Sequence, residues 1–396
     1  MSDINNEDQQ IEEPQEFDLK WNDDIQEDID PQYASSLRLF PRDWTVQTIV
    51  SQIEQKNIDL NPKFQRRNAW SDTRRSKLIE SLILGIPVPE VMLAENPQKP
   101  RTFLVIDGKQ RLLTLSGFMS SESNPTWDRP KLTGLTVLKD LNGLTYEELK
   151  NNDYSIQLQN ATIRCSVISN YDGTDVLYDI FYRLNTGSVP LSSQELRQVL
   201  SPGPFADSLI EWTNEPAQAI HKVLGLNEPD KRLRDVELVL RFISFYRYSI
   251  KFEGNLKEFL DKSMANISAQ WDDIGDEIRY IYTDFNEAIY MLINVLGNKH
   301  VGKRYTNNKW EARFNKVLFE VEVYYFIQIL NHVPTETQKQ DFIEGFKELC
   351  ANNDEFRRSI DSSTKDLNKY RLRFKLFKDL IEKSFNISVK MLPLKD

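Results

Sequence analysis

Short β-branched runs alternate with stretches whose apolar residues recur every three or four positions. Leu37–Phe40 reads as a short strand, and Thr45–Gln55 follows with helical spacing. Ser71 or Asp72 can cap a helix reaching Leu84, with Leu78, Ile79, Leu82 and Ile83 as its apolar face. Gly85, Pro87 and Pro89 stop it, and Val91–Ala94 then reads as a strand. Phe103–Ile106 is a second buried-strand pattern, followed by Leu112, Leu113, Leu115 and Phe118 at helical spacing. Pro and Asp around 120–135 mark an excursion loop. Leu141–Lys150 predicts a short helix, Ala161–Ile168 a strand and Asp175–Leu184 a helix. Ser192 and Glu195 have the spacing of a capping box. Ser201-Pro202-Gly203-Pro204 is a strong breaker. Beyond it helical periodicity dominates, over Glu237–Tyr248, Leu256–Met264, Ile274–Leu296, Lys309–Ile329, Thr337–Cys350 and Lys365–Ser384. The pattern predicts an α+β domain over residues 34–203 and an α-helical domain over 204–396.

The junction at Asp107-Gly108-Lys109-Gln110-Arg111 carries the densest chemistry. A strand stops in a glycine turn and opens a helix whose first amides lack internal partners and whose dipole end is positive. An anion such as a phosphate is stabilised at such a place. Lys109 and Arg111 add cations, Gln110 an amide, and Asp107 a carboxylate for a metal or a ribose hydroxyl. A plain strand–turn–helix corner with surface charges has the same pattern. Gln65, Arg66, Arg67, Arg74 and Arg75 cluster ahead of the helix that reaches Leu84.

Charge changes the picture at one end. The net charge is −10, yet residues 1–30 hold twelve acids against one base, Lys20. That stretch carries −11, so the remainder is near neutral at +1. Residues 1–33 therefore read as a disordered acidic arm, either a solubilising tail or a nucleic-acid mimic that covers a basic groove. Two cysteines, Cys165 and Cys350, make neither a disulfide framework nor a zinc spacing. With no apolar leader and no transmembrane-length apolar run, a reduced cytoplasmic setting without membrane contact is expected.

Three segments together resemble a known bacterial family. They are Phe64-Gln65-Arg66 with Trp70, running on to IESLILGIPVP; IDGKQR around Asp107; and RLNTGSVPLSSQELR from Arg183 to Arg197. The family is marked by a DGQQR-type motif and forms the N-terminal part of GmrSD-type restriction proteins, within the ParB/sulfiredoxin-like superfamily. Lys109 stands where that family usually has glutamine, which keeps a donor, drops an acceptor and adds charge. The resemblance extends into RDVELVLRFISFY (234–246). It implies a ParB/sulfiredoxin-like N-terminal domain that binds a nucleoside triphosphate with Mg2+. Gly108, Lys109, Gln110 and Arg111 would hold the nucleotide, with Arg183 beside them and Gln65 and Arg66 on the opposite wall. Asp107 and Asn185 would organise metal or water. Asn185 or Gly187 also suits a left-handed helix cap.

Other candidates are weaker. Gly297–Arg304 mimics a P-loop, but Arg304 replaces the Ser/Thr and no strand precedes it. His332 faintly resembles the histidine of an HNH nuclease, yet His221 and His300 are the only others. Lys299, Lys303, Arg304, Lys309, Arg313 and Lys316, with Tyr305 and Trp310, form a basic segment suited to DNA or to plain solvation. Arg357, Arg358, Lys365, Lys369, Arg371, Arg373, Lys375 and Lys378 form a second. Tyr324, Tyr325 and Phe326 read as core. The leading expectation is a nucleoside-triphosphate-binding, hydrolysing protein of DNA restriction or anti-phage defence, working with a separate effector protein. Its rivals are a non-enzymatic DNA- or partner-binding module and a DNA nuclease.

Overall fold

The computed structural model of the chain describes residues 38–60, 70–96, 99–120, 127, 130–150, 152–171, 177, 192–215, 218–361 and 366–395. The acidic stretch 1–33 and, save Leu177, the helix expected over Asp175–Leu184 lie outside them. The described residues fall into two compact units. One holds those up to Tyr290 together with those from Leu392 onward, the other Met291–Met391.

In the first unit Thr45 both ends a strand and caps a helix. β1 (Arg38–Thr45) stops there, and the Thr45 hydroxyl accepts from the Thr48 amide at 3.1 Å to start α1 (Val46–Glu54). β2 is the two-residue strand Ile58–Asp59. Ser71 caps α2 (Asp72–Ile83), β3 is Val91–Glu95, β4 is Phe103–Asp107 and α3 is Lys109–Met119. After a 3-10 turn (Lys139–Leu141) come α4 (Tyr146–Leu149), α5 (Tyr154–Asn160) and β5 (Thr162–Ser169). The strands form one sheet in the order β1-β5-β3-β4-β2. β3 runs parallel to β5, while β1–β5 and β3–β4 are antiparallel.

Successive strand residues point to opposite faces, and here both faces are covered. Val91, Leu93, Phe103, Val105 and Val167 join Ile49, Ile79, Leu82, Leu112 and Leu115 of the helices in one core. Met92, Ala94, Ile106 and Ile168 face the other way, onto Leu177 and Leu196. Leu196 belongs to α6 (Ser193–Leu200). Pro204 opens α7 (Pro204–Trp212) at its first turn, followed by α8 (Ala219–Leu224), α9 (Arg234–Tyr248) and α10 (Leu256–Ala269). The long α11 (Trp271–Leu296) carries the chain into the second unit.

That unit is helical apart from one small hairpin, β6 (Tyr305–Thr306) with β7 (Lys309–Trp310). Its helices are α12 (Lys316–Gln328), α13 (Glu336–Asn352), α14 (Asp354–Asp361) and α15 (Leu367–Phe385). Tyr324, Tyr325 and Phe326 are buried as the sequence suggests, and the Tyr325 hydroxyl donates to the Phe374 carbonyl at 2.7 Å. The fold class is thus α+β, a mixed sheet with its helices followed by a helical C-terminal region.

Two predicted helices need correction. Leu141–Lys150 is a 3-10 turn and a single turn of α4, because Gly143 takes φ 90° between them. Lys309–Ile329 begins as a strand. Asn307 and Asn308 both have positive φ, the requirement of a two-residue hairpin turn, so the helix starts only at Lys316, capped by Asn315.

Candidate functional site

The β4–α3 corner is built around one arginine. The Arg111 Nη2 donates to the Asp107 carboxylate four residues back (2.9 Å) and to the Glu90 carbonyl just before β3 (2.9 Å). Its side chain is 12% exposed, that of Asp107 48%. The Arg111 Nε is buried without a hydrogen-bond partner among the described residues. Between them Gly108 takes φ 90° and caps α3 with no side-chain acceptor. A β-carbon there would lie 2.8 Å from Val91 Cγ2 and 2.9 Å from Arg111 Nη2. Glycine is therefore needed twice, for the backbone angle and for the clearance of the guanidinium. Across the ladder from Asp107 the register shifts between Met92 and Leu93. Such irregularities re-aim side chains beside functional sites.

Gln110 reaches outward. Its Oε1 accepts from the Trp70 amide at 3.2 Å, and the Arg74 guanidinium lies 4.4 Å from the Trp70 ring centroid. Gln110 thereby anchors the chain that follows Gln65 and Arg66 to the first turn of α3. Lys109 is half-buried and engaged. Gln65, Arg66, Arg183 and Asn185 lie outside the described residues. Of the predicted site, the structure brings together Asp107, Gly108, Lys109, Gln110 and Arg111. Glu90 joins them, with its own carboxylate accepting from the Ser166 hydroxyl at 2.8 Å. Its signal was faint, a lone acid between a proline and a strand.

The third sequence segment reappears as a brace. Ser192 and Glu195 form the full capping box: Ser192 N donates to Glu195 Oε2 at 2.6 Å, and Glu195 N to Ser192 Oγ at 3.1 Å. Burial pushes the Glu195 carboxyl up to about 7 against the pull of the Ser192 donors and Arg232. Arg197 is buried and pairs with Asp261 at 2.6 Å while donating to Gln194, and Gln198 donates to the Ala206 carbonyl. These polar residues tie α6 to α7 and α10. Leu196 meanwhile packs with Ile106, the residue before Asp107.

A second brace holds the 130–138 loop on α2. Glu80 Oε1 accepts from the amides of Val137 (2.9 Å) and Leu138 (2.8 Å). Burial raises its carboxyl, but these amides and that of Thr136 outweigh it and hold the pKa below the ordinary value.

The remaining sequence candidates lie outside this corner and its braces. Gly297–Arg304 follows a helix and not a strand, so it has no P-loop context. Arg304 pairs with Glu311 at 2.9 Å and with Asp361. Lys299 and Lys309 are exposed, and burial, with Lys299 nearby, lowers the Lys303 pKa. In the second basic segment Arg373 is fully buried, 3.9 Å from the Tyr370 ring centroid, so it is unavailable to DNA. His332 is 3.1 Å from Gln338 at the capping box of α13. Both cysteines are free and buried, their thiols pushed up to about 12 by burial. No group of three or more His, Cys, Asp or Glu suited to a metal occurs among the described residues, and no helix among them is long and apolar enough to cross a membrane.

No curated protein matches the chain. The family model described as "GmrSD restriction endonuclease, N-terminal domain" matches residues 46–200, from the first residue of α1 to the last of α6. That span contains the Arg111 corner, the Trp70 anchor and the α6 brace, and over it the chain is similar to the GmrSD restriction endonuclease N-terminal domain family.

Proposed function

We propose that the β4–α3 corner binds a nucleoside triphosphate with a divalent cation, in a ParB-like manner, and that the chain serves restriction of foreign DNA. The observation that carries this is the Arg111 corner: an uncapped helix start on Gly108, with a guanidinium whose buried Nε has no partner among the described residues. A helix start without a side-chain cap and a cradle that a β-carbon would fill suit a phosphate group. Asp107 is half-exposed and is the carboxylate nearest the glycine turn, which suits a cation that keeps most of its waters and takes one or two carboxylates. When bound, the cation neutralises charge on the phosphates. Arg111 and Lys109 hold the anion and Gln110 holds the Trp70 wall; Asn185 and Arg183 belong to the site only as the family resemblance implies. Gln65 and Arg66 belong to the same implied set.

The test is calorimetry of the full chain with ATP, GTP, CTP and UTP, with and without Mg2+. Stoichiometric binding of at least one nucleotide is expected. Arg111→Lys, which keeps the charge beside Asp107, should weaken it by about 1.5–3 kcal/mol, the range of charge-assisted hydrogen bonds. Unchanged affinity in a folded variant removes the assignment. A second reading has its own support: Arg111 Nη2 is already committed to Asp107 and Glu90, as in a purely structural corner. The chain would then be a DNA- or partner-binding module, and silence across all four nucleotides favours it.

A further inference from the structure

At the opposite end of β4, roughly 13 Å from Asp107 by strand rise, the sheet holds a cavity of about 630 Å³. It lies over the concave face between β1, α1 and the β3–β4 turn. Trp44 on β1 and Phe103 on β4 meet there edge to face at 5.6 Å. Two strands stand between them in the sheet, a lateral spacing of about 14 Å, and the register also offsets them along the strands, so the rings meet across a curved face. Phe40 stands on the same side of β1, 45% exposed.

Three cations line this cavity: Arg42, Lys99 and Arg101. All three are exposed, and none has an ion pair among the described residues. The Arg42 guanidinium is 6.0 Å from the Trp44 ring centroid. The single acid of the lining is Glu95. Gln52 has its Oε1 occupied by Asn57 Nδ2 at 3.0 Å, which leaves its amide hydrogens for a ligand. An exposed Phe40 and a half-buried Trp44 beside unpaired cations on one concave surface suit a planar ring carrying phosphate. An acidic peptide would use the cations and leave the rings idle.

We propose that this cavity is a second binding site, for a nucleotide unit with its base on Phe40 or Trp44 and its phosphate on Arg42, Lys99 and Arg101. The unit is either a free mononucleotide or one residue of a single-stranded nucleic acid. The proposal is independent of the Arg111 corner.

The test is fluorescence anisotropy of a labelled ten-residue oligothymidylate with the full chain at low salt, competed by thymidine monophosphate and by poly-glutamate. Arg42→Gln with Arg101→Asn should weaken binding about tenfold or more and flatten its salt dependence. Asparagine tolerates the positive φ of Arg101, and neither arginine is buried, so the fold is kept. Phe40→Ala should weaken it about fivefold or more. Monophosphate competing as well per nucleotide as the oligomer assigns the site to free nucleotides, and weak competition assigns it to a strand. The proposal falls if the oligomer and the monophosphate do not bind, if the cavity variants bind like the wild type, or if poly-glutamate displaces the oligomer as well as thymidine monophosphate does.

Discussion

Two residues at the core of the domain illustrate how narrow their positions are. Gly108→Ala must hold a left-handed angle that costs an L-residue about 1–2 kcal/mol and must also move Val91 or Arg111. Thermal unfolding should therefore show a clear loss of stability, and a variant as stable as the wild type would mean that the corner relaxes freely. Glu195 has its pKa raised to about 7 in the fold by burial, against an ordinary value of 4.5. Its contribution is complete below the unfolded value and is lost as pH rises through about 7. Relative to Glu195→Gln, which keeps the capping geometry, the wild type should lose stability between pH 4.5 and 7, at most about 1.4 kcal/mol per pH unit. A difference in melting temperature that stays flat over this window would contradict the assignment. Asp107, Gly108 and Arg111 were legible in the sequence because a strand pattern, a glycine and a helix pattern adjoin. The Gln110–Trp70 bond, spanning forty residues, was not, since no local spacing encodes it.

At the level of elements, the apolar period located β3, β4, α2 and α3 almost to the residue. It failed where length or turn chemistry decides: α5 has seven residues, and the Asn307–Asn308 turn interrupts a run that otherwise reads as helix. Long-range braces were also invisible. Glu80 reads as one more polar residue of α2, yet it fastens a loop more than fifty residues away. Glu80→Ala should cost about 1–3 kcal/mol by leaving two amides without their acceptor. Because the folded pKa is depressed, that stabilisation is present above the unfolded value and fades as pH falls. Equal melting temperatures of the two proteins at pH 7 would show that the loop is held by other contacts.

For the whole molecule, charge sets what it can meet. The sequence outside residues 1–30 is nearly neutral, so any affinity for DNA must come from local clusters. Neutralising Lys299, Lys303 and Lys309 together should weaken duplex binding and reduce its salt slope by up to about 0.9 per phosphate contact. Binding that is unaltered, or absent from the wild type, would leave these lysines as solvated surface. The edge of the sheet bears on a different encounter, that of the protein with itself. β1 ends the sheet, with β5 as its neighbour, and such a strand invites another chain to add to it. Pro41 sits in its middle and lacks an amide hydrogen, and Arg38, Arg42 and Asp43 charge it along its length. The strand that supplies the aromatic and cationic wall of the cavity is thus also poorly suited to pair with a copy of itself. The same eight residues disfavour self-association through β1, and with it the fibrous aggregation that open sheet edges invite.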